Sequence, residues 1–169
     1  HEGKLRISRD SIAAFLEVLG AEDRFELVAF NVAPQVLFRE LASASAEAKG
    51  RAREFLDGQV ARGGTVLRPA LEAAYRYHQD GRALNVVVLS DGMTAGDAQE
   101  LLGLIGRRPP GARVFAIGVG NEVNRPLLKQ LTEETGGLAA FISRGDDFDR
   151  LARAFRRKLE RPAATGLKI

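Results

Sequence analysis

Two oxygen donors stand out from an otherwise unreactive set of side chains. They are Thr65, preceded by Gly63 and Gly64, and Asp91, preceded by Ser90 and followed by Gly92. A carboxylate and a hydroxyl are hard ligands of the kind Mg²⁺ favours, with few protein oxygens, several waters and near-octahedral geometry. The paired glycines would let the loop backbone come close to an ion. The same residues read equally well as local caps, with Asp91 closing the turn into Gly92 and Thr65 opening the helix that follows. Asp91 ends the run Leu-Asn-Val-Val-Val-Leu-Ser-Asp over 84–91, which carries no charge until its last residue. Such a run predicts a strand buried on both faces of a parallel sheet. The carboxyl end of that strand is where open α/β sheets present their ligand crevices.

Other chemistries find little support. Gly118-Val119-Gly120 follows a strand-like run, as a dinucleotide fingerprint would, but Val123 holds the place of the third glycine. That glycine is what lets helix and strand pack closely around a pyrophosphate. The only histidines are His1 and His78, and cysteine is absent, so nothing supplies the imidazole and thiolate cluster of a zinc centre. Ser90 lacks the Gly-x-Ser-x-Gly elbow that exposes a nucleophile on a strained turn. The residues argue against an enzyme, and a nucleotide-dependent one on a related sheet is the least supported reading.

The elements that must position Thr65 and Asp91 follow from the hydrophobic pattern. Of 169 residues, 45% are hydrophobic and 28% charged, which suits one domain with a sizeable core. An amphipathic helix is predicted over 4–19, with Leu5, Ile12, Phe15, Leu16 and Leu19 on one stripe and Gly20 as its stop. A strand over 24–31, a short edge strand over 35–38 and a helix over 44–56 follow. A glycine-bearing loop over 59–65 leads into a third helix, with Pro69 in its first turn and Leu67, Leu71 and Ala74 facing inward, ending near His78. After the run at 84–91, Asp97 and Glu100 have capping-box spacing ahead of Leu101, Leu102, Leu104 and Ile105. A buried strand over 114–119 precedes a helix capped by Asn124, with Pro126 in its first turn. A shorter strand over 138–142 and a helix over 147–160 complete the series. Strands alternating with helices predict a mainly parallel sheet covered on both faces.

The formal net charge of +3 owes much to Arg150, Arg153, Arg156, Arg157, Lys158 and Arg161. These alternate with Phe148, Leu151, Ala152, Phe155 and Leu159, which predicts an amphipathic helix with a solvated basic face and not a nucleic-acid surface. Without cysteine, disulfides are excluded and the redox compartment stays open. No run approaches the roughly 18 apolar residues of a membrane span, so direct membrane insertion is not expected. The series opens on a helix, and the strand that should feed it is expected ahead of residue 1.

Taken together, these residues resemble a von Willebrand factor type A domain. Gly63-Gly64-Thr65 is similar to the family's second metal-site loop and Leu89-Ser90-Asp91-Gly92 to its third. Residues 23–31 and 114–120 have the look of its second and fifth strands. Within the family the chain is most similar to the A domain of inter-alpha-trypsin inhibitor heavy chains and their bacterial relatives. The resemblance implies an α/β, Rossmann-like fold, with a mainly parallel central sheet and helices on both faces. It implies an N-terminally incomplete domain over 1–162, with 163–169 as an exit strand or tail toward neighbouring β structure.

At the carboxyl edge of such a sheet the resemblance implies a metal-ion-dependent adhesion site. Thr65 would be a direct ligand and Asp91 a direct or water-bridged one, for Mg²⁺, Mn²⁺ or Ca²⁺, with Gly63, Gly64, Ser90 and Gly92 supporting. Position 90 is often threonine in the family, and serine keeps the hydroxyl. The family's first metal-site motif, Asp-x-Ser-x-Ser, ends a central strand just before the first helix. His1-Glu2-Gly3 is similar to the tail of that loop, so the remaining ligands are expected to precede residue 1. The implied function is a divalent-metal-dependent, adhesion-type protein-binding module whose ion bridges to an Asp or Glu of a protein partner. The implied setting is a larger multidomain protein, secreted or at the cell surface, with no nucleic acid bound. The alternative is a structural or assembly domain of the same fold with an incomplete, idle metal site.

Overall fold

A computed structural model describes residues 2–30, 33–60, 67–90, 98–120, 123–143 and 147–160. Strands β5 (Asn85–Ser90), β6 (Arg113–Val119) and β7 (Ala139–Ile142) form a parallel sheet in that order. Helix α4 (Ala98–Gly106) lies between β5 and β6, and α5 (Arg125–Glu133) between β6 and β7, the crossover connections that parallel strands require. Every residue of β6 is buried, in accord with the strand expected at 114–119. Its side chains alternate between two cores. Val114 and Ala116, with Val86 and Val88 of β5, pack against Leu71 of α3 (Leu67–Tyr75), Leu101 of α4 and Leu128 of α5. Phe115, Ile117 and Val119 pack on the other face with Phe15 of α1 (Glu2–Val18) and Phe155 of α6 (Phe148–Glu160). Helices therefore cover both faces, which is why β6 tolerates no polar side of its own.

Local signals mostly act where they were expected. Asn124 Oδ1 accepts the Leu127 N–H at 3.2 Å and Pro126 stands in the first turn of α5. Helix α2 (Ala46–Asp57) starts two residues later than the pattern suggests, because Ser45 Oγ accepts the Ala48 N–H at 3.1 Å and caps it. The basic helix is present, but its charged face is not wholly solvated: Arg156 pairs with Asp23, at side-chain exposures of 25% and 28%.

Two expectations need correction. The strand expected over 24–31 is two pieces, β1 (Arg24–Phe25), paired antiparallel with β4 (Ala42–Ser43), and β2 (Val28–Phe30), paired antiparallel with β3 (Pro34–Val36). The break has a cause in Glu26, whose Oε1 accepts the N–H groups of Leu27, Leu37 and Phe38 at 2.9, 3.2 and 2.9 Å. The Leu37 N–H is shared with the Leu27 carbonyl at 3.1 Å, so the carboxylate supplements the backbone pairing where β2 gives way to β1 and takes up the Phe38 N–H beyond it. The second correction concerns β5, expected to be buried on both faces. Val87 is 39% exposed and Leu89 half-buried, because β5 is paired on one side only among the described residues.

The other oxygen of Glu26 has its own partner. Tyr77 Oη donates to Oε2 at 2.9 Å. Burial, then that hydrogen bond and the negative charge of Glu26, push the Tyr77 phenol from 10.0 up to about 12. A raised phenol pKa favours the neutral form in the folded state. Its contribution to stability is therefore complete below pH 10 and lost as the pH rises from there toward 12. Ultraviolet titration of tyrosinate absorbance is expected to show a phase near 12 that Tyr77→Phe removes; an unchanged profile would contradict the contact.

One buried cation was not anticipated. Arg113 is 5% exposed at the start of β6. Its Nε donates to Asn85 Oδ1 at 3.0 Å, and Nη1 and Nη2 donate to the carbonyls of Lys158 and Leu159 at 3.2 and 2.9 Å. Burial pushes its pKa down. The negative end of the α6 dipole offsets that penalty and keeps a guanidinium acceptable inside the fold.

Candidate metal centre

The carboxyl edge of the sheet is assembled by the elements that end or begin there. Helices α4, α5 and α6 follow parallel strands, so their N-termini lie at this edge. Helix α1 starts there too, since Lys4 Cε stands 3.4 Å from where a Cβ on Gly120 would be, just past the end of β6. Helix α3 joins them through Arg68, whose Nη1 donates to Glu100 Oε1 at 2.7 Å and whose Nε donates to Glu72 Oε1 at 3.0 Å. Arg68 and Glu100 belong to the first turns of α3 and α4. Converging helix N-termini present free N–H groups and a positive potential, surroundings that favour carboxylates.

At the centre of this edge β5 delivers Ser90, which is 6% exposed and in register with Gly118 of β6. Ser90 shares the parity of Val86 and Val88 and so faces the α3–α4–α5 side. Gly118 must lack a side chain, because a Cβ there would stand 2.9 Å from Phe141 Cδ1 and 3.1 Å from both Leu128 Cδ1 and Val123 Cγ2. The base of the edge is thus packed tightly next to the last residue of β5.

Of the residues expected to form the site, Ser90 alone is described. Gly63, Gly64 and Thr65 fall in 61–66, and Asp91 and Gly92 in 91–97, outside the described residues, as does Asp97 of the expected capping box. Among the described residues no group of three or more His, Cys, Asp or Glu side chains could hold a metal ion. Ser90 is the described member of the expected site, and the nearby carboxylates of Glu72 and Glu100 are engaged by Arg68. The Arg68–Glu100 bridge was missed in the sequence, although Arg68 and Glu72 have the spacing of a helical ion pair. The hydrogen bonds and charges of Glu72 and Glu100 raise the Arg68 pKa. Both ends of the bridge are about half exposed, so it orients the two helices more than it stabilises them.

A family model for the von Willebrand factor type A domain matches residues 2–141. The chain belongs to that family. This A domain is 25% identical over 177 residues to human inter-alpha-trypsin inhibitor heavy chain H4, a match that takes in 97% of the chain and 19% of the relative. The chain thus spans about a fifth of the length of the curated relatives it matches. Among solved structures it is similar to a von Willebrand factor type A protein from Catenulispora acidiphila, with a TM-score of 0.73 and 20% identity, covering 90% of this chain and 37% of that one. It is also similar to proximal thread matrix protein 1 from the mussel byssus with a zinc-occupied MIDAS motif, with a TM-score of 0.64 and 19% identity, covering 91% and 40%. At these identities the structural likeness establishes the fold, a Rossmann-like α/β sheet with helices on both faces. None of the helices among the described residues is long and apolar enough to cross a membrane.

Proposed function

We propose that this A domain is a divalent-metal-dependent protein-binding module, with Thr65 and Asp91 as protein ligands of the ion and an Asp or Glu of a protein partner completing the coordination. The observation that supports it most is the Arg68–Glu100 bridge. By joining the starts of α3 and α4 it brings the flanks of 61–66 and 91–97 to one place on the carboxyl edge. Family membership supplies the reason to read those two segments as a site. The thread matrix protein carries zinc in its own motif; for this chain a carboxylate and hydroxyls favour a hard ion, Mg²⁺, Mn²⁺ or Ca²⁺. Bound there, such an ion supplies a positive centre for a carboxylate. The chain's own residues would orient it: Asp91, next in sequence after β5, Thr65, two residues ahead of α3, and the hydroxyl of the buried Ser90. No catalysis is assigned to the site. We further place the domain over 1–162, with 163–169 leading toward a neighbouring domain of a larger secreted or cell-surface protein.

Thermal unfolding in EDTA and in millimolar Mg²⁺ tests this reading. At about 100 times its dissociation constant a ligand stabilises by about 2.7 kcal/mol, which for a domain of this size raises Tm by roughly 5–10 °C. The shift is expected in the parent chain and absent in Asp91→Ala and Thr65→Ala. A cooperatively folded chain with no shift is a structural or assembly domain whose metal site is idle.

A further inference from the structure

The parallel sheet has an outer edge at β7, which among the described residues pairs with β6 alone. The Ala116 N–H donates to the Leu138 carbonyl and the Gly120 N–H to the Ile142 carbonyl. The ladder therefore turns the backbone groups of Leu138, Ala140 and Ile142 toward β6 and those of Ala139 and Phe141 outward. Soluble proteins blunt such edges with charges, proline or a bulge. Strand β3, also paired on one side only among the described residues, carries Pro34. Strand β7 reads Ala-Ala-Phe-Ile and has no charge or proline, and Leu138 just before it is 39% exposed.

Helix α5 flanks this edge on the face where Phe141 packs. The Arg125 guanidinium lies over the Phe141 ring, 4.5 Å from its centroid. Four-residue steps carry that side of the helix on to Lys129 and Glu133. All three residues are exposed, and none forms an ion pair with another described residue. The flank beside the edge is thus positive at its start and negative at its end.

A two-fold axis through Ala140, perpendicular to the sheet, sets β7 antiparallel to β7 of a second copy. Ala139 then exchanges both of its outward hydrogen bonds with Phe141 of the other chain. Ala140, a small residue, meets its own copy at the axis, and the exposed Leu138 comes opposite Ile142. The same operation sets the two α5 helices antiparallel, about 10–14 Å apart, within reach of long side chains. Leu128 Cδ1 stands 3.1 Å from where a Cβ on Gly118 would be, at the level of Phe141. Helix side chains lean toward the N-terminus, so the middle of α5 lies near the level of Ala140. Arg125 of each copy therefore falls beside Glu133 of the other, while Lys129 faces its own counterpart.

We propose that the β7 edge and the α5 flank form a two-fold interface between two copies of this chain. Antiparallel β7 strands join the two sheets into one, reciprocal Arg125–Glu133 pairs fix the register, and the two carboxyl edges point in opposite directions.

Sedimentation equilibrium of the chain tests this, with amide exchange read at Ala139 and Phe141. The apparent mass is expected to rise with concentration from 18.3 kDa toward twice that value, and both amides to slow as it does. Glu133→Arg and Arg125→Glu are each expected to weaken association at least about tenfold, and the double variant to recover it. Lys129→Ala removes a like charge from the axis and is expected to tighten the pair. Thermal unfolding of each variant as a dilute monomer separates a folding defect from a lost contact. A mass that stays at 18.3 kDa up to millimolar protein overturns the proposal. So does a dimer that leaves exchange at Ala139 and Phe141 unchanged and ignores the charge variants, since it joins through another face. Protection of both amides at every concentration overturns it too, and its loss on deleting 163–169 would assign the edge to the chain's own tail.

Discussion

Phe155→Ala is expected to lower stability by about 3–5 kcal/mol. Phe155 is 0% exposed and is the largest buried side chain that the last helix contributes to the fold. Its ring meets Phe15 of α1 edge-on at 5.2 Å and an interplanar angle of 79°, and Phe115 of β6 at 5.9 Å. Truncation loses the transfer free energy of the ring, leaves a cavity between three elements and removes two aromatic contacts. Denaturant unfolding measures the effect, and Arg153→Ala on the exposed face of the same helix is the control, expected within about 0.5 kcal/mol of the parent. A Phe155→Ala chain as stable as that control would mean that α6 does not dock as described.

Gly137→Ala is expected to be comparably damaging, although it adds a single methyl group. The added Cβ would stand 1.8 Å from the carbonyl oxygen of Val114 and 2.6 Å from its carbon. Those are backbone atoms of a wholly buried strand, and they cannot swing aside as a side chain would. The turn after α5 is also fastened to that strand through Thr135, whose Oγ1 accepts the Val114 N–H at 2.8 Å and donates to the Val114 carbonyl at 3.3 Å. We expect a loss at or above the upper end of the roughly 1–3 kcal/mol typical of overpacking. Gly103→Ala supplies the contrast, since nothing lies within 4 Å of its Cβ position in the middle of α4. There the better helix propensity of alanine is expected to stabilise by up to about 1 kcal/mol. Equal stability of the two variants would refute the close approach of the turn to β6.

Sequence reasoning succeeded where the deciding interaction lies within a few residues or within one periodic run. The apolar stretch of β6 and the Asn124 cap of α5 are of this kind, and so is the apolar stripe of α6. It failed where the decision is made across the chain. The break between β1 and β2 depends on a carboxylate that accepts hydrogen bonds from Leu37 and Phe38, and no local pattern announces such a partnership. Arg113 reads as an ordinary surface cation, yet carbonyls at the far end of the chain hold it inside. The exposure of Val87 is likewise invisible in its own strand, because it depends on what stands beside β5. At the candidate site, the apolar run over 84–91 foretold a strand, which ends at Ser90, and the Arg68–Glu100 bridge escaped because its two residues belong to different helices.

The pairing of α1 with α6 also has a consequence for the chain as it leaves the ribosome. Helix α1 is made well before its partner α6, so Phe15 has no Phe155 to meet until the strands and helices between them have emerged. At ordinary synthesis rates that interval is on the order of 10 s. The β5–α4–β6–α5–β7 stretch, whose contacts are between successive elements, can consolidate during that time. The amphipathic first helix meanwhile waits with its apolar stripe in water, a natural target for the chaperones that attend nascent chains.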